Sequence, residues 1–339
     1  FYNMFTDSTI SFIPENVYKK QKFAQPQDII MAVTSENIED VCKCISWLGN
    51  TPVAVSGHTA IIHHNQNSKY LSYFFHTSMF FSQKKKIAHG TKVVEVTPDK
   101  VKNINVPVPP KEVQAEIVKI LDNFTELTAE LTAELTARKK QYEFYKNDLF
   151  SKAENAQITT LDMIAENCDS QRKPVTSGIR EAGDIPYYGA SGIVDYVKDY
   201  IFDGDYLLIS EDGANLLARS TPIAFSVSGK AWVNNHAHVL KFDEHATRRY
   251  VEMYLNSIDL TPYITGAAQP KLNQKNLNNI KIPLPALIEQ QRIVDILDRF
   301  DTLCNDISSG LPAEIKARQQ QYEYYRDKLL AFPKAELEV

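Results

Sequence analysis

The sequence predicts an α+β protein in which two α/β-mixed domains are joined by two long α-helices, in a duplicated, pseudo-twofold arrangement. Three observations lead to this prediction. A proline-punctuated helical motif occurs twice, a β-rich run lies before each copy, and 339 residues are enough for two domains of ordinary size. The apolar content of 43% is typical of globular chains, and no run is apolar enough to span a bilayer.

The repeat has two parts. Residues 103–124 read NINVPVPPKEVQAEIVKILDNF, and residues 279–300 read NIKIPLPALIEQQRIVDILDRF. ARKKQYEFYKNDLF, from Ala137, matches ARQQQYEYYRDKLL, from Ala317, and the second copy holds four more residues between its two parts. Two copies indicate one duplicated unit, since a solenoid needs at least three repeats.

Each helix is predicted to begin just after its prolines, which force an extended backbone. Residues 111–150 contain no Gly and no Pro, so one helix of about 60 Å is allowed at about 1.5 Å per residue. Its apolar residues follow steps of four and three, which is the spacing of a heptad seam. The seam residues are Ile117, Leu121, Phe124, Leu131, Leu135, Tyr142, Tyr145 and Leu149.

The second helix repeats this seam from Ile293 to Leu311 and resumes it from Ile315 to Leu329. Ser308, Ser309, Gly310 and Pro312 predict a break near 308–312. The apolar seams of the two helices can be buried most simply if the helices pack against each other, so we expect an antiparallel coiled coil with a pseudo-twofold axis. The tyrosine pairs at 142, 145, 322 and 325 are predicted to lie in that interface.

The segments between the helices contain short β-rich runs separated by Gly, Asn and Pro. Predicted strands are 29–34, 52–56 and 59–63 in the first copy, and 206–210, 223–227 and 237–242 in the second. Short helices are predicted near 69–77 and 247–257. The predicted division is a first domain at 1–110, expected to be incomplete at its N-terminus, a central helix at 111–150, a second domain at 151–286, and a distal helix with a C-terminal tail at 287–339.

Charge is unevenly distributed along the chain. The net charge of −5 argues weakly against a nucleic-acid partner, but residues 41–94 contain no Asp or Glu, six lysines and five histidines. This span is predicted to form a cationic surface, although a loop of solvated lysines is an alternative. Four cysteines without a C-x-x-C pair favour a reducing cytoplasm.

Several segments resemble the specificity subunits of type I restriction-modification systems. GAAQPKLNQKNLNNIKIPLP from Gly266, with EQQRIVDILDRF from Glu289, is similar to the junction between a target recognition domain and a conserved helix. IPYYGASGIVDYV, LLISEDGA and WVNNHAHVL look like the body of such a domain, and LTAELTAELTA at 127–137 resembles the tandem repeat in the spacer helix of type IC members. The first domain departs from this pattern, because it lacks the QPKLN stretch.

The resemblance implies a protein that reads DNA without catalysing a reaction. Each recognition domain would read one half of a bipartite double-stranded target, and the two helices would set the distance between the halves. Methyltransferase subunits and restriction/translocase subunits would dock on the chain, and S-adenosylmethionine, ATP and Mg²⁺ would bind to those partners. Two methyltransferase subunits are expected, because similar helix faces occur in both copies of the repeat.

The sequence lacks the motifs of the alternative catalytic functions. An adenine methyltransferase would need an N/D-P-P-Y/F motif and a Gly-rich cofactor loop, and a motor would need a P-loop; none is present. His236 with His238, and Cys42 with Cys44, are spaced as possible ligands, but neither pair has a second pair at zinc-site spacing, so no metal site is predicted. A catalytic methyltransferase and a protein-binding coiled-coil adaptor remain alternatives to DNA reading.

Candidate DNA contacts follow from side-chain chemistry, because amides pair bidentately with adenine and lysines contact guanine or phosphate. In the second domain they are Lys230, Asn234, Asn235, His236, Gln269 and Lys271. In the first domain Lys84, Lys85 and Lys86 are predicted phosphate contacts. Partner proteins are expected on the helix faces away from the seam, at Glu112, Glu116, Lys139, Lys140, Arg292, Asp295, Gln319 and Gln320.

Overall fold

A computed structural model describes residues 4–153, 156–266 and 268–332. The chain divides into two compact units. Unit 1 comprises residues 1–134 and 311–339, and unit 2 comprises residues 135–310. The C-terminal tail beyond residue 332 lies outside the described residues. The predicted division into four segments stays a prediction.

Unit 1 is built from short strands, short helices and parts of two long helices. Strands β1 to β8 are Phe5–Thr6, Lys22–Ala24, Ile29–Ala32, Thr34–Ser35, Cys44–Trp47, Val53–Val55, Thr59–Ile62 and Val94–Glu95. Helices α1 to α4 are Glu15–Tyr18, Ser68–Phe74, Ser78–Ile87 and Pro98–Val101, and α5 is Lys111–Ala153. The main sheet has the order β1-β5-β3-β7, with β1 parallel to β5 and the other pairs antiparallel.

Unit 2 contains a larger sheet. Strands β9 to β16 are Gln157–Thr160, Glu166–Asn167, Ala182–Gly189, Gly192–Val197, Phe202–Ser210, Ala224–Val233, Ala237–Lys241 and Lys281–Leu284. Helices α6 to α10 are Leu161–Ile164, Asn215–Ala218, His245–Ser257, Gln274–Asn278 and Leu287–Asn305, and α11, Leu311–Leu329, follows in unit 1. The six-stranded sheet has the order β10-β15-β13-β14-β11-β12.

The predicted elements are found close to their predicted positions. The first long helix is continuous over 43 residues, because no Gly or Pro interrupts it. The predicted break in the second is observed at residues 306–310, between α10 and α11. There the Asp306 carboxylate accepts hydrogen bonds from the Ser308 N–H and from the hydroxyls of Ser308 and Ser309. These local bonds stabilise a turn at the point where the helix is interrupted.

The long helices contribute to the apolar core of each unit through the predicted seam. In unit 1, Ile117 and Leu121 are buried with α2, and Phe124 stacks on Tyr325 with ring centroids 5.6 Å apart. In unit 2, Tyr142 and Tyr145 lie 6.2 and 5.6 Å from the Phe300 ring. The fold class is therefore confirmed as two mixed α/β units with long helices, and the pairing of those helices along their whole length as an antiparallel coiled coil stays a prediction.

Candidate nucleic-acid interface

Four loops of unit 2 are held together by hydrogen bonds. They are the β11–β12 turn at 189–192, the segment 211–213 after β13, the β14–β15 turn at 234–236, and the segment 270–272. The β11–β12 turn and the end of β11 are held by the Asn234 N–H, which donates to the Tyr188 carbonyl (3.1 Å), and by the Ser210 hydroxyl, which donates to the Ala190 carbonyl. The β14–β15 turn is joined to the segment 211–213 by the Glu211 N–H, which donates to the His236 carbonyl (2.9 Å). The segment 270–272 is joined to the segment 211–213 by two bonds, from the Leu272 N–H to the Glu211 carbonyl (2.7 Å) and from the Gly213 N–H to the Pro270 carbonyl (3.1 Å). They create one surface from residues distant in sequence.

In the turn at 234–236 one side chain is buried and the other two are exposed. Asn234 is buried, and its Oδ1 accepts the His236 N–H at 2.8 Å, so this amide shapes the turn. Asn235 and His236 are exposed. His236 Nδ1 lies 2.9 Å from both carboxylate oxygens of Asp212, which orients the ring. Of the two predicted amide contacts in this turn, Asn235 is the one that projects from the surface.

Gln269 and Lys271 lie in a loop closed by two main-chain bonds between Thr265 and Lys271, of 2.9 and 2.7 Å. Gly266 has φ +82°, and a Cβ there would lie 2.5 Å from the Gln269 carbonyl oxygen, so this loop requires glycine. Gln269 is exposed. Lys271 Nζ lies 3.1 Å from the Glu211 carboxylate, and its side chain remains half exposed. Both side chains are accessible to a ligand on this surface.

A buried charge cluster lies directly behind these loops. His238, 1% exposed, places Nδ1 2.6 Å from the Asp169 carboxylate and Nε2 2.7 Å from the Leu272 carbonyl oxygen. A carbonyl oxygen only accepts hydrogen bonds, so Nε2 carries a proton, and Nδ1 must carry another to donate to an ionised Asp169. His238 is therefore an imidazolium. Arg172 donates to the Glu211 carboxylate at 2.6 Å and to the Ala237 carbonyl at 2.7 Å.

The cations keep both carboxylates ionised. Burial alone would raise the pKa of Asp169, but the hydrogen bond and charge of His238, the Val239 N–H and Arg172 outweigh it and hold that pKa below its usual range. The pKa of Glu211 is also lowered, because Arg172, His238 and Lys271 outweigh burial. Among the described residues Asp169, Glu211 and His238 are the group whose ligand atoms could meet at a metal ion, and in this structure those atoms face one another and the Arg172 guanidinium. The set fits an ion-pair network.

The structure places the two histidines in different environments. A spacing of two residues would suit one face of a strand, but β15 begins at Ala237, so His236 lies in the exposed turn with Asn234 and Asn235 and His238 lies in the buried cluster. Sequence reasoning missed Asp169, Arg172 and Glu211 as supports of this surface. A polar Glu211 directly after the buried strand segment 207–210 was the available signal.

Lys230 lies apart from the four loops. It is opposite Asp203 in the β13–β14 ladder, and its ammonium is 4.6 Å from the centroid of the Tyr200 ring. Lys230 is exposed, so the prediction that it contacts DNA remains compatible with its position.

The lysine cluster of unit 1 also differs from the expectation. Lys84 is 4% exposed and donates to the carbonyl oxygens of Glu39 (3.1 Å) and Val41 (2.8 Å), and burial lowers its pKa. A buried ammonium cannot reach a phosphate, so the prediction for Lys84 is at odds with this structure. Lys85 and Lys86, in the same helix α3, are exposed.

The cationic surface expected at 41–94 is therefore smaller than its composition indicated. Lys43 pairs with Asp40 at 2.5 Å and Lys69 pairs with Asp122 at 2.7 Å, both acidic partners lying outside that span. Lys85, Lys86 and Lys92 remain exposed. Any electrostatic contact of this face with a polyanion would depend on these three.

The predicted partner-binding side chains all lie on the surface. They are Glu112, Glu116, Lys139, Lys140, Arg292, Asp295, Gln319 and Gln320. Arg292 pairs with Glu289 at 2.6 Å, which is an exposed pair within one helix. Within the described residues, every helix is too short or too polar to cross a membrane.

Comparison with known proteins identifies the family. The family described as type I restriction modification DNA specificity domain matches residues 13–138 and 154–317. A type I restriction enzyme specificity subunit of Haemophilus influenzae is 42% identical over 174 residues, which are 50% of this chain and 45% of that protein. The EcoR124I/EcoR124II specificity subunit of Escherichia coli is 38% identical over 262 residues, 69% of this chain and 64% of that one.

Two solved structures share the fold. A chain from a structure on complex assembly and conformational transition of the type I R-M system has a TM-score of 0.61 at 16% identity, with 92% of this chain and 84% of that chain covered. The HsdS subunit of Thermoanaerobacter tengcongensis has a TM-score of 0.54 at 18% identity, with 90% and 81% covered. The chain spans about half to two thirds of the length of the two sequence relatives. By its sequence this chain belongs to the family of type I restriction-modification DNA specificity domains.

Proposed function

We propose that this chain is the non-catalytic, sequence-reading component of a type I restriction-modification enzyme and that it binds a bipartite double-stranded DNA target. The observation that carries the proposal is the duplication, because two units with similar helices and different β-rich domains suit independent reading of two half-sites. Sequence relatives that are named as type I specificity subunits support it.

The four-loop surface of unit 2 is the proposed reading surface of its half-site. Asn235 and Gln269 present amides, which can pair with the major-groove edge of adenine, and Lys271 presents an ammonium for guanine or phosphate. His236 is an exposed donor or acceptor held by Asp212. The buried ion-pair network makes the surface rigid, which lowers the entropy lost when it binds.

Partner subunits complete the proposed enzyme. Because exposed side chains lie on the long helices in both copies of the repeat, we propose two equivalent sites for methyltransferase subunits, with restriction/translocase subunits joining that assembly. S-adenosylmethionine, ATP and Mg²⁺ would be bound by those partners. Mass measurement of the assembled methylase should give two methyltransferase subunits per chain, and one subunit at saturating partner would contradict the duplication argument.

The direct test is DNA methylation by the chain with its methyltransferase partner, followed by sequencing of modified adenines. The expected result is a single bipartite target. The double substitution Asn235→Ala and Gln269→Ala should relax one half-site by about 1–3 kcal/mol per lost base contact and leave the other unchanged. Lys271→Ala should weaken binding at the same half-site, and Lys198→Ala is its matched control, since Lys198 is an exposed lysine of the same unit, paired with Glu181. Methylation without sequence preference, or no complex with DNA, would refute the proposal.

A further inference from the structure

Each unit docks its recognition domain on its long helix through the same three polar contacts. In unit 2, Tyr250 of α8, fully buried, donates its hydroxyl to the Pro283 carbonyl at 2.7 Å. Gln290, in the first turn of α10 and 3% exposed, donates to the Pro285 carbonyl at 2.7 Å and accepts the Thr247 hydroxyl at 2.7 Å. These bonds join the helix of the domain, the proline segment and the start of the long helix.

Unit 1 makes the corresponding contacts with different neighbours. Tyr70 of α2, fully buried, donates to the Pro107 carbonyl at 2.8 Å. Gln114, in the first turn of α5 and fully buried, donates to the Pro109 carbonyl at 2.7 Å and accepts the Asn67 N–H at 3.0 Å. In both copies the glutamine lies five residues after its proline and accepts from the recognition-domain helix or its cap.

The third contact is an ion pair further along each long helix. Lys69 Nζ lies 2.7 Å from the Asp122 carboxylate in unit 1, and Arg249 pairs with Asp298 in unit 2. Each aspartate lies eight residues after the buried glutamine of its copy, which is about 12 Å along a helix. Each cation directly precedes the buried tyrosine of its domain.

These contacts do more than fill space. The hydrophobic contribution of apolar packing is non-directional, whereas hydrogen bonds and ion pairs depend on direction and so add a restraint on the angle between a domain and its helix. Anchor points spread from Pro107 to Asp122, or from Pro283 to Asp298, restrain rotation as well as position. The surrounding domains differ in sequence and sheet order, yet the joint is the same in both.

We propose that the tyrosine–proline, glutamine–proline and cation–aspartate contacts of each unit form an orienting joint, which holds the recognition domain at one angle on its helix and so determines which gap between DNA half-sites is accepted. This inference rests on the proposed function, because the gap exists only if the chain reads two half-sites. The joint residues are positioning residues and contact no base themselves.

The test uses the complete complex with its methyltransferase partner on duplexes that carry both half-sites at the native gap or at gaps one and two base pairs longer or shorter. The variants are Tyr250→Phe and Asp298→Asn in unit 2, and Tyr70→Phe in unit 1. Each should reduce the preference for the native gap by about tenfold, the effect of one charge-assisted or buried hydrogen bond, with the half-site bases unchanged.

Arg249→Lys is the matched control, because it recreates in unit 2 the lysine–aspartate pair of unit 1. It should keep the gap preference within about twofold of the parent. Tyr→Phe removes one hydroxyl, so a folded variant is expected, and urea unfolding checks it.

The outcomes separate the two proposals. Equal loss of methylation at every gap, altered half-site bases, or an unchanged gap preference in folded variants would overturn the joint while the bipartite target stands. A parent complex that methylates without a bipartite target would overturn the proposed function, and the joint with it.

Discussion

Replacing His238 should destabilise unit 2 far more than the same replacement of His236, two residues away. His238→Ala removes the cation that donates to Asp169 and leaves the Leu272 carbonyl without its donor. Removing one partner of a buried charged pair costs about 3–5 kcal/mol. Arg172 lies 3.4 Å from Asp169 and still balances part of the charge, so we expect about 3 kcal/mol, at the lower end of that range.

His236→Ala is the matched control. Its side chain is 51% exposed and pairs with Asp212 at the surface, where such pairs contribute about 0–1 kcal/mol. Urea unfolding can be followed by tryptophan fluorescence in a Trp47→Phe background, because Trp232 then reports on unit 2 alone. With about 1–3 kcal/mol per molar urea, His238→Ala should lower the midpoint by about 1 M or more.

Acid unfolding gives a second readout of the same network. Because the pKa values of Asp169 and Glu211 are lowered in the folded state, their stabilisation is present above their ordinary pKa values of 3.8 and 4.5 and is lost as the pH falls through the lowered values. Without His238 the depression is smaller, so the variant should unfold at higher pH than the parent. Equal urea midpoints for the His236 and His238 variants, or unchanged acid unfolding, would refute the assignment of His238 as a buried cation.

Three further predictions concern the helices and the DNA-facing lysines. Replacing Lys85 and Lys86 with alanine should reduce the slope of log K against log salt by about two on DNA, and retention of the parent slope would remove both from the interface. Gly310→Ala should cost about 1–3 kcal/mol in thermal unfolding, because its Cβ would clash with the Thr302 carbonyl oxygen, whereas Gly178→Ala has open space and should cost less. Inserting one Thr-Ala-Glu-Leu unit within 127–137 adds about 6 Å of helix and slightly more than one turn. The methylated half-sites should therefore keep their bases and move apart by about one to two base pairs. If sequencing of methylated adenines shows an unchanged gap, this helix is not the spacer.

Local sequence signals were sufficient for the helices, the break and most strands. The heptad spacing from Ile117 to Leu149 and the absence of Gly and Pro over 111–150 predicted one long helix, because periodicity and backbone propensity act between near neighbours. Ser308, Ser309 and Gly310 marked the break for the same reason. The repeat predicted that both units contain the same helical segments, since similar sequences with the same apolar spacing form the same elements.

Tertiary structure alone decided which side chains are available and what charge they carry. Three consecutive lysines are indistinguishable in sequence, but the carbonyls of Glu39 and Val41 lie where only Lys84 can reach them. His238 becomes a cation because Asp169 and Leu272, each more than thirty residues away, face its two nitrogens. Composition and periodicity determine which elements form, whereas partners distant in the chain determine protonation and exposure, because they meet only when the chain has folded.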